Sequence, residues 1–407
     1  MAAHGHGRAG RRLRRRAWQT LVAALLVGPA SARHHDLTHV DARTTVLGAY
    51  SSSFKPVLEV SSGDTVSMRT VSGVPPGDVH VQSGYALPKV MKKIYDEKCR
   101  GWVSQQVSGP TPFQCGAMGP HLLTGPIAVK GAQIGDALAV EVVDIDVWQQ
   151  WSWNLVKPPK GSLGHDFDGV HSGVPLAEVQ TWRNDLERRA THVSPPGVWV
   201  SWNVTGTGPF LGCMGTAPPP SYGVVSSVAP RMAFGGNLDL KLLTKGATLV
   251  LPVNVPGALF SAGDGHAVQG DGEVCTTAVE TGLLATLRFT RIPRATNGAP
   301  FSQPRAWTKT HLVAIGLSVH LDEAEKLAMK DLLNWLSELA GWTTSESYRL
   351  ASVAADVHVT QVVNEVKGVH ILFPRRLLPP SRLGPPLGAG ARVDVRRSRP
   401  PRALAPR

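Results

Sequence analysis

Residues 263–273 read Gly-Asp-Gly-His-Ala-Val-Gln-Gly-Asp-Gly-Glu. Two Gly-Asp-Gly units, an imidazole, an amide and a closing carboxylate fall in one short run. Carboxylates and imidazoles coordinate cations and move protons. The glycines permit positive φ and let the acids approach a ligand closely. In extended backbone Asp264 and His266 share one face, as do Asp271 and Glu273. Oxygen and imidazole donors suit zinc or another divalent metal. A free carboxylate beside an activated water suits metal-assisted hydrolysis. Gly-Asp-Gly is also a common turn sequence. Spacing alone therefore leaves a site and a pair of turns both open.

The flanking sequence must position this run. Strand signals lie at Ala247–Val255, Glu273–Val279 and Leu284–Phe289, with earlier ones at 40–72 and 127–147. Ser62-Gly63-Asp64 reads as a hairpin turn between alternating segments. A short strand is expected at Gly197–Trp202 and a short helix at Val90–Arg100. The 3.6-residue period is clearest in Leu321, Ala324, Leu327, Ala328, Leu332, Trp335, Leu336 and Leu339. Asp322 is the expected cap and Gly341 the expected stop, with a second helix at Thr344–Ala354. Strands first and a helix pair last predict a mainly β body, sandwich- or barrel-like, with a smaller C-terminal α/β portion containing that helix pair. Trp148, Trp151 and Trp153 are expected to fill core rather than wall a pocket.

The net charge of +12 belongs to the ends. Residues 1–33 carry +7 and residues 375–407 carry +8, which leaves −3 for the stretch between. Nucleic-acid binding through the body is disfavoured on that count. Residues 1–32 have the layout of a secretory signal: Arg11–Arg16, a short apolar run from Trp18, then Ala30-Ser31-Ala32. An organelle transit peptide is the competing reading. The apolar run is shorter than a membrane span, which needs about 20 residues. Residues 33–378 are expected to form the working domain, and 379–407 a disordered Pro/Arg-rich tail. Cys99, Cys115, Cys213 and Cys275 are too scattered for a disulfide framework, although Cys99 and Cys115 could pair. Asn203-Val204-Thr205 is a glycosylation sequon.

The run from Pro256 through the two Gly-Asp-Gly units to Cys275 resembles the signature of the acetamidase/formamidase family. Similar blocks recur in order: Gly119–Val129, Gly212-Cys-Met-Gly-Thr-Ala-Pro-Pro-Pro, Gly235-Gly-Asn-Leu-Asp-Leu-Lys, Val359–Asn364 and Gly368–Ile371. The resemblance covers roughly residues 40 to 378. It implies a β-rich homo-oligomer that hydrolyses short linear amides such as formamide or acetamide. It also implies a divalent metal, zinc or in some members calcium, while the charge distribution and the lack of any other membrane-length apolar run add the expectation of no nucleic-acid or membrane partner. On this reading Asp264 and His266 ligate the metal, and Asp239 joins them or caps a turn. Glu273 is the general acid/base and Asp271 its helper. His121, Asn237 and Gln269 orient substrate. His370 is expected to be a satisfied core histidine and His358 structural, while His34, His35 and His39 sit at a solvated terminus. Residues 74–118 and the tail depart from the family pattern. A non-catalytic descendant that keeps the fold as a binding or structural protein is the competing function.

Overall fold

The computed structural model describes residues 32–72, 89–98, 118–157, 160–163, 166, 178–194, 197–294 and 301–379. The expected signal segment, the Cys99–Cys115 pair and the tail beyond 379 lie outside the described residues.

The long apolar runs in this sequence are strands buried on both faces. A nine-stranded sheet runs in the order His34–Leu37, Thr65–Arg69, Leu283–Ile292, Ala137–Val147, Thr248–Pro252, Arg305–Trp307, His311–Ser318, Lys367–Pro374, Asp356–Gln361. On one face Leu138, Val140, Leu249, Leu251, Val313 and Ile315 join the main core. Their neighbours Ala137, Ala139, Val250, Leu312 and Ala314 point the other way, into a second core shared with helices. That is the two-residue alternation of a strand with an apolar layer on each side.

A six-stranded sheet closes the first face. Its order is Gly235–Asn237, Phe210–Gly215, Phe260–His266, Leu122–Val129, Thr45–Leu47, and Leu58–Val60 also pairs with Leu122–Val129. Leu211, Met214, Ile127, Phe260 and Ala262 enter the same core as the large sheet. The body is therefore a sandwich of two sheets over one apolar layer. Trp151–Val156, Glu178–Asp185, Ala190–Val193 and Val198–Ser201 form a four-stranded flank. Trp151 and Trp153 are buried together there, in line with core packing.

Three helices complete the described residues: α1 (Lys89–Lys98), α2 (Leu321–Ala340) and α3 (Thr344–Ala354). Helix α2 buries Ala328, Leu332, Trp335 and Leu336 on the second face of the large sheet. The approach is tight: a methyl group on Gly316 would lie 1.8 Å from the Ala324 carbonyl oxygen. Arg305 fastens the helix to its strand by a buried fork onto Asp331, at 2.6 and 2.9 Å. Gly341 ends α2 in the left-handed region, at φ 75°. The start differs from expectation. His320 holds the cap position with no side-chain bond, and Asp322 lies in the first turn, where the helix dipole favours an acid. Helix α3 opens with a reciprocal Thr343–Glu346 capping box.

Further expectations are corrected. Ser62-Gly63-Asp64 does turn the chain, but not into a hairpin. Leu58–Val60 pairs within the six-stranded sheet and Thr65–Arg69 within the nine-stranded one, so the turn passes the chain from layer to layer. The expected strand Glu273–Val279 is a run of turns. Glu273 and Thr276 adopt positive φ, 48° and 117°, which breaks the extended backbone a regular strand needs. Of the early histidines, His39 is solvent-exposed, whereas His34 bonds Thr65 Oγ1 (3.1 Å) and His35 meets Asp64 (3.0 Å). Those two side chains pin the first strand to its neighbour.

Candidate active site

Adjacent strands of the six-stranded sheet gather the polar residues. Asp264 and His266 end the strand Phe260–His266. Cys213 lies on the next strand, opposite Gly263 on one side and Asn237 on the other. Asp239 follows two residues after Asn237, and His121 immediately precedes Leu122–Val129. The coil after His266 folds back, and an isolated bridge sets Glu280 beside His266. Asp239, Asp264 and Glu273 all hold left-handed backbone, at φ 49°, 58° and 48°. Such conformations cost on the order of 1 kcal/mol each and persist where the surroundings enforce them.

His266 is the hub. Its Nε2 lies 3.1 Å from Glu280 Oε1 and 3.5 Å from Asp264 Oδ1. Phe210 packs edge-on against its ring, with centroids 4.9 Å apart. His121 Nε2 lies 3.7 Å from the same Asp264 oxygen, and its Nδ1 pairs with Ser227 Oγ at 2.9 Å. Three overlapping sets bring potential ligand atoms within 4.8 Å of one another: Asp264–His266–Glu280, Asp239–His266–Glu273 and His121–Cys213–Asp264.

Four buried carboxyl groups face two imidazoles here, and the charges respond. Burial works against ionising Asp264, but His121 and His266 more than offset it and hold its carboxyl below the usual range. Burial and the Asp264 charge push Asp239 up to about 7. Burial, assisted by Asp264, brings Glu280 to about 7. Burial and the charge of Asp239 push Glu273 well above the carboxylate range. Burial opposes charging His266, yet Glu280 and Asp264 raise its pKa well above the ordinary imidazole value. Burial also raises the Cys213 thiol, which donates to Asn237 Oδ1 at 3.0 Å.

The donor set fits a divalent cation. Asp239 Oδ1, Glu273 Oε2, Glu280 Oε2 and His266 Nδ1 are buried with no hydrogen-bond partner. Buried polar atoms are normally satisfied, and a cation would satisfy several of these together. Carboxylate oxygens with imidazole suit zinc or another divalent ion. Gly212 makes the convergence possible. A methyl group there would lie 2.6 Å from Asp239 Oδ1, 2.6 Å from Asp264 Oδ2 and 2.8 Å from His266 Cε1.

The residues picked out in the sequence divide by position. Asp239, Asp264, His266 and Glu273 come together, with His121 at the edge of the group. Asp271 does not. It is exposed and pairs with Lys241 Nζ (3.0 Å) and His358 Nδ1 (3.2 Å), because the turns after Gly270 send it outward while Glu273 turns in. Asn237 donates to the Val228 carbonyl and accepts from Cys213. Gln269 donates to the Asp239 carbonyl at 2.8 Å. These two amides brace the loop that carries Asp239. Sequence reasoning missed Glu280, and took Cys213 only as one of four scattered cysteines and a part of the Gly212-Cys-Met-Gly block. For Glu280 the one available signal was a lone acid between Val279 and Thr281, just ahead of the apolar run from Leu283. His370 is a buried neutral imidazole. Its Nδ1 bonds Thr360 Oγ1 at 2.8 Å, and its ring stacks on His358.

His370 gives a pH prediction. Burial lowers its pKa from 6.5 to about 3. The unfolded chain therefore takes up this proton first as pH falls. Its share of stability is complete above about pH 6.5 and is lost progressively towards pH 3. Urea unfolding should show that His370→Gln loses about 2 kcal/mol less than wild type between pH 7.5 and pH 5. Identical losses in the two proteins would contradict this assignment.

The acetamidase/formamidase family pattern matches residues 113–222 and 222–375. The chain belongs to the acetamidase/formamidase family. It is 28% identical over 251 residues to a formamidase of Methylophilus methylotrophus, covering 49% of this chain and 60% of that protein. An acetamidase of Mycolicibacterium smegmatis is 28% identical over 203 residues, covering 38% of this chain and 49% of that protein. The chain thus spans about half the length of the curated relatives it matches. Among solved structures it is similar to an acetamidase from Bacillus halodurans, at 26% identity and TM-score 0.62, covering 84% of this chain and 97% of that one. An acetamidase structure from Yersinia enterocolitica shares the fold at 24% identity and TM-score 0.66, covering 86% and 94%.

Proposed function

We propose that this chain hydrolyses short linear amides of the formamide and acetamide kind to carboxylate and ammonia, at a site that works with a divalent cation. The observation that carries the reading is the buried cluster itself. In a chain of this family, four carboxyl groups and two imidazoles converge, and several of their atoms are unpartnered.

Asp264, His266 and Glu280 would hold the cation, with Asp239 alongside. Bound there, it would make water more acidic and balance negative charge on the amide oxygen. The chain's own groups do the rest. Glu273, whose Oε2 is buried without a hydrogen-bond partner beside this set, can relay a proton from the attacking water. Burial beside other acids favours its protonated form. It can therefore protonate the leaving nitrogen, which departs poorly as an anion. Phe210 and the close-packed strands keep bulk water from His266. Lower local dielectric strengthens each of these interactions.

The test is ammonia release from formamide and acetamide before and after chelation. Chelated protein should lose turnover, and added zinc should restore it. Metal-loaded protein that releases no ammonia from any short amide would turn the reading to a non-catalytic member of the family. Secretion, homo-oligomer formation and zinc as the particular ion belong to the same proposal. They would be checked by fractionation, sedimentation and elemental analysis.

A further inference from the structure

The last two strands of the nine-stranded sheet send one side chain, Asn364, into the cluster. Asn364 lies in the turn between Asp356–Gln361 and Lys367–Pro374. Its Nδ2 donates to Asp239 Oδ2 at 2.8 Å. The turn is braced from beneath by Gln361, which is fully buried. Gln361 Oε1 accepts from Val363 N (3.0 Å) and Asn364 N (3.1 Å), and its Nε2 donates to the Val366 carbonyl at 2.7 Å. Asn364 is thus presented by a rigid support.

The same segment also grips the loop of Glu273. Gly272 N donates to the Thr360 carbonyl at 3.1 Å, and Val362 N donates to the Gly272 carbonyl at 3.0 Å. One short stretch therefore sets two acids that come from separate parts of the chain. For Asp239 the outcome is asymmetric. Its Oδ2 is occupied by the Asn364 amide, whereas Oδ1 is buried, unpartnered and set against Gly212. A carboxylate with one oxygen tethered by a donor and the other free has its free lone pairs aimed.

We propose that Asn364 is a positioning residue. It orients Asp239 towards the cation while its turn registers Glu273 through Gly272. The proposal rests on the cation-assisted reading above. If Asn364 merely stitched its turn to the body, its loss would weaken the fold without touching cation affinity.

The full-length chain is compared with Asn364→Ala and with Asn364→Leu, which keeps the branched shape but removes the donor. Zinc affinity is measured by competition with a chelator, beside the unfolding midpoint of the metal-free protein. Both variants should bind zinc about 10- to 100-fold more weakly, as losses of outer-shell partners generally do. Their metal-free midpoints should stay close to wild type. Zinc affinity within twofold of wild type in either folded variant overturns the positioning role, whatever happens to the midpoint. Wild type that binds no zinc overturns the cation-assisted reading, and this proposal with it.

Discussion

Glu273→Gln should keep its cation and lose turnover by about 100- to 10,000-fold, the range for removing a positioned acid or base. The side chain is buried, its Oε2 has no partner, and its backbone is held at φ 48°. Glutamine preserves shape, and Glu273 stands outside the set Asp264, His266 and Glu280. What disappears is a proton to give to the departing nitrogen. The loss should therefore fall on kcat, with KM little changed. Steady-state kinetics on formamide beside elemental analysis decides the matter. Turnover at the wild-type rate would remove Glu273 as the proton donor. His266→Ala is the contrasting case, since it deletes the hub and should forfeit the cation as well.

Gly212→Ala should abolish both cation binding and activity, although it adds a single methyl group. That methyl would lie 2.6 Å from oxygens of Asp239 and Asp264 and 2.8 Å from the ring of His266. All three neighbours, themselves buried, would have to shift together. Strain of this kind costs about 1–3 kcal/mol. The larger effect is on geometry, because a displacement of about 1 Å at a reacting site can lower the rate about 100-fold. Gly270→Ala is the control, with no atom within 4 Å of the added methyl and ordinary backbone at that position. Metal-loaded Gly212→Ala with near-normal turnover would show that the cluster is looser than described.

Much of the local architecture was legible because local physics fixes it. The periodic apolar face of α2, the left-handed Gly341 and the Thr343–Glu346 box are short-range features. The period and Gly341 placed α2 to within a residue or so, and Thr344–Ala354 was expected as α3, but the box itself emerged only in the structure. The strand signals were also sound where burial is two-sided. They failed at Glu273–Val279, where β-prone residues are held in turns by hydrogen bonds from distant loops, among them Ser162 N to the Val274 carbonyl. Propensity describes a segment, and those partners lie more than a hundred positions away.

The site divides along the same line. Sequence by itself determined which atoms are available: the acids and imidazole of the glycine-rich run, and Asp239 in a second glycine-rich block. Only the tertiary structure decided which of them meet. It turned Glu273 inward and Asp271 outward across one glycine, and recruited Glu280 through a single bridge to His266. It also brought Asn364, from the turn between the last two strands of the large sheet, to Asp239. The physical reason is that residue type sets a group's intrinsic chemistry, whereas strand register and burial set its neighbours, and the neighbours determine which proton or cation it holds.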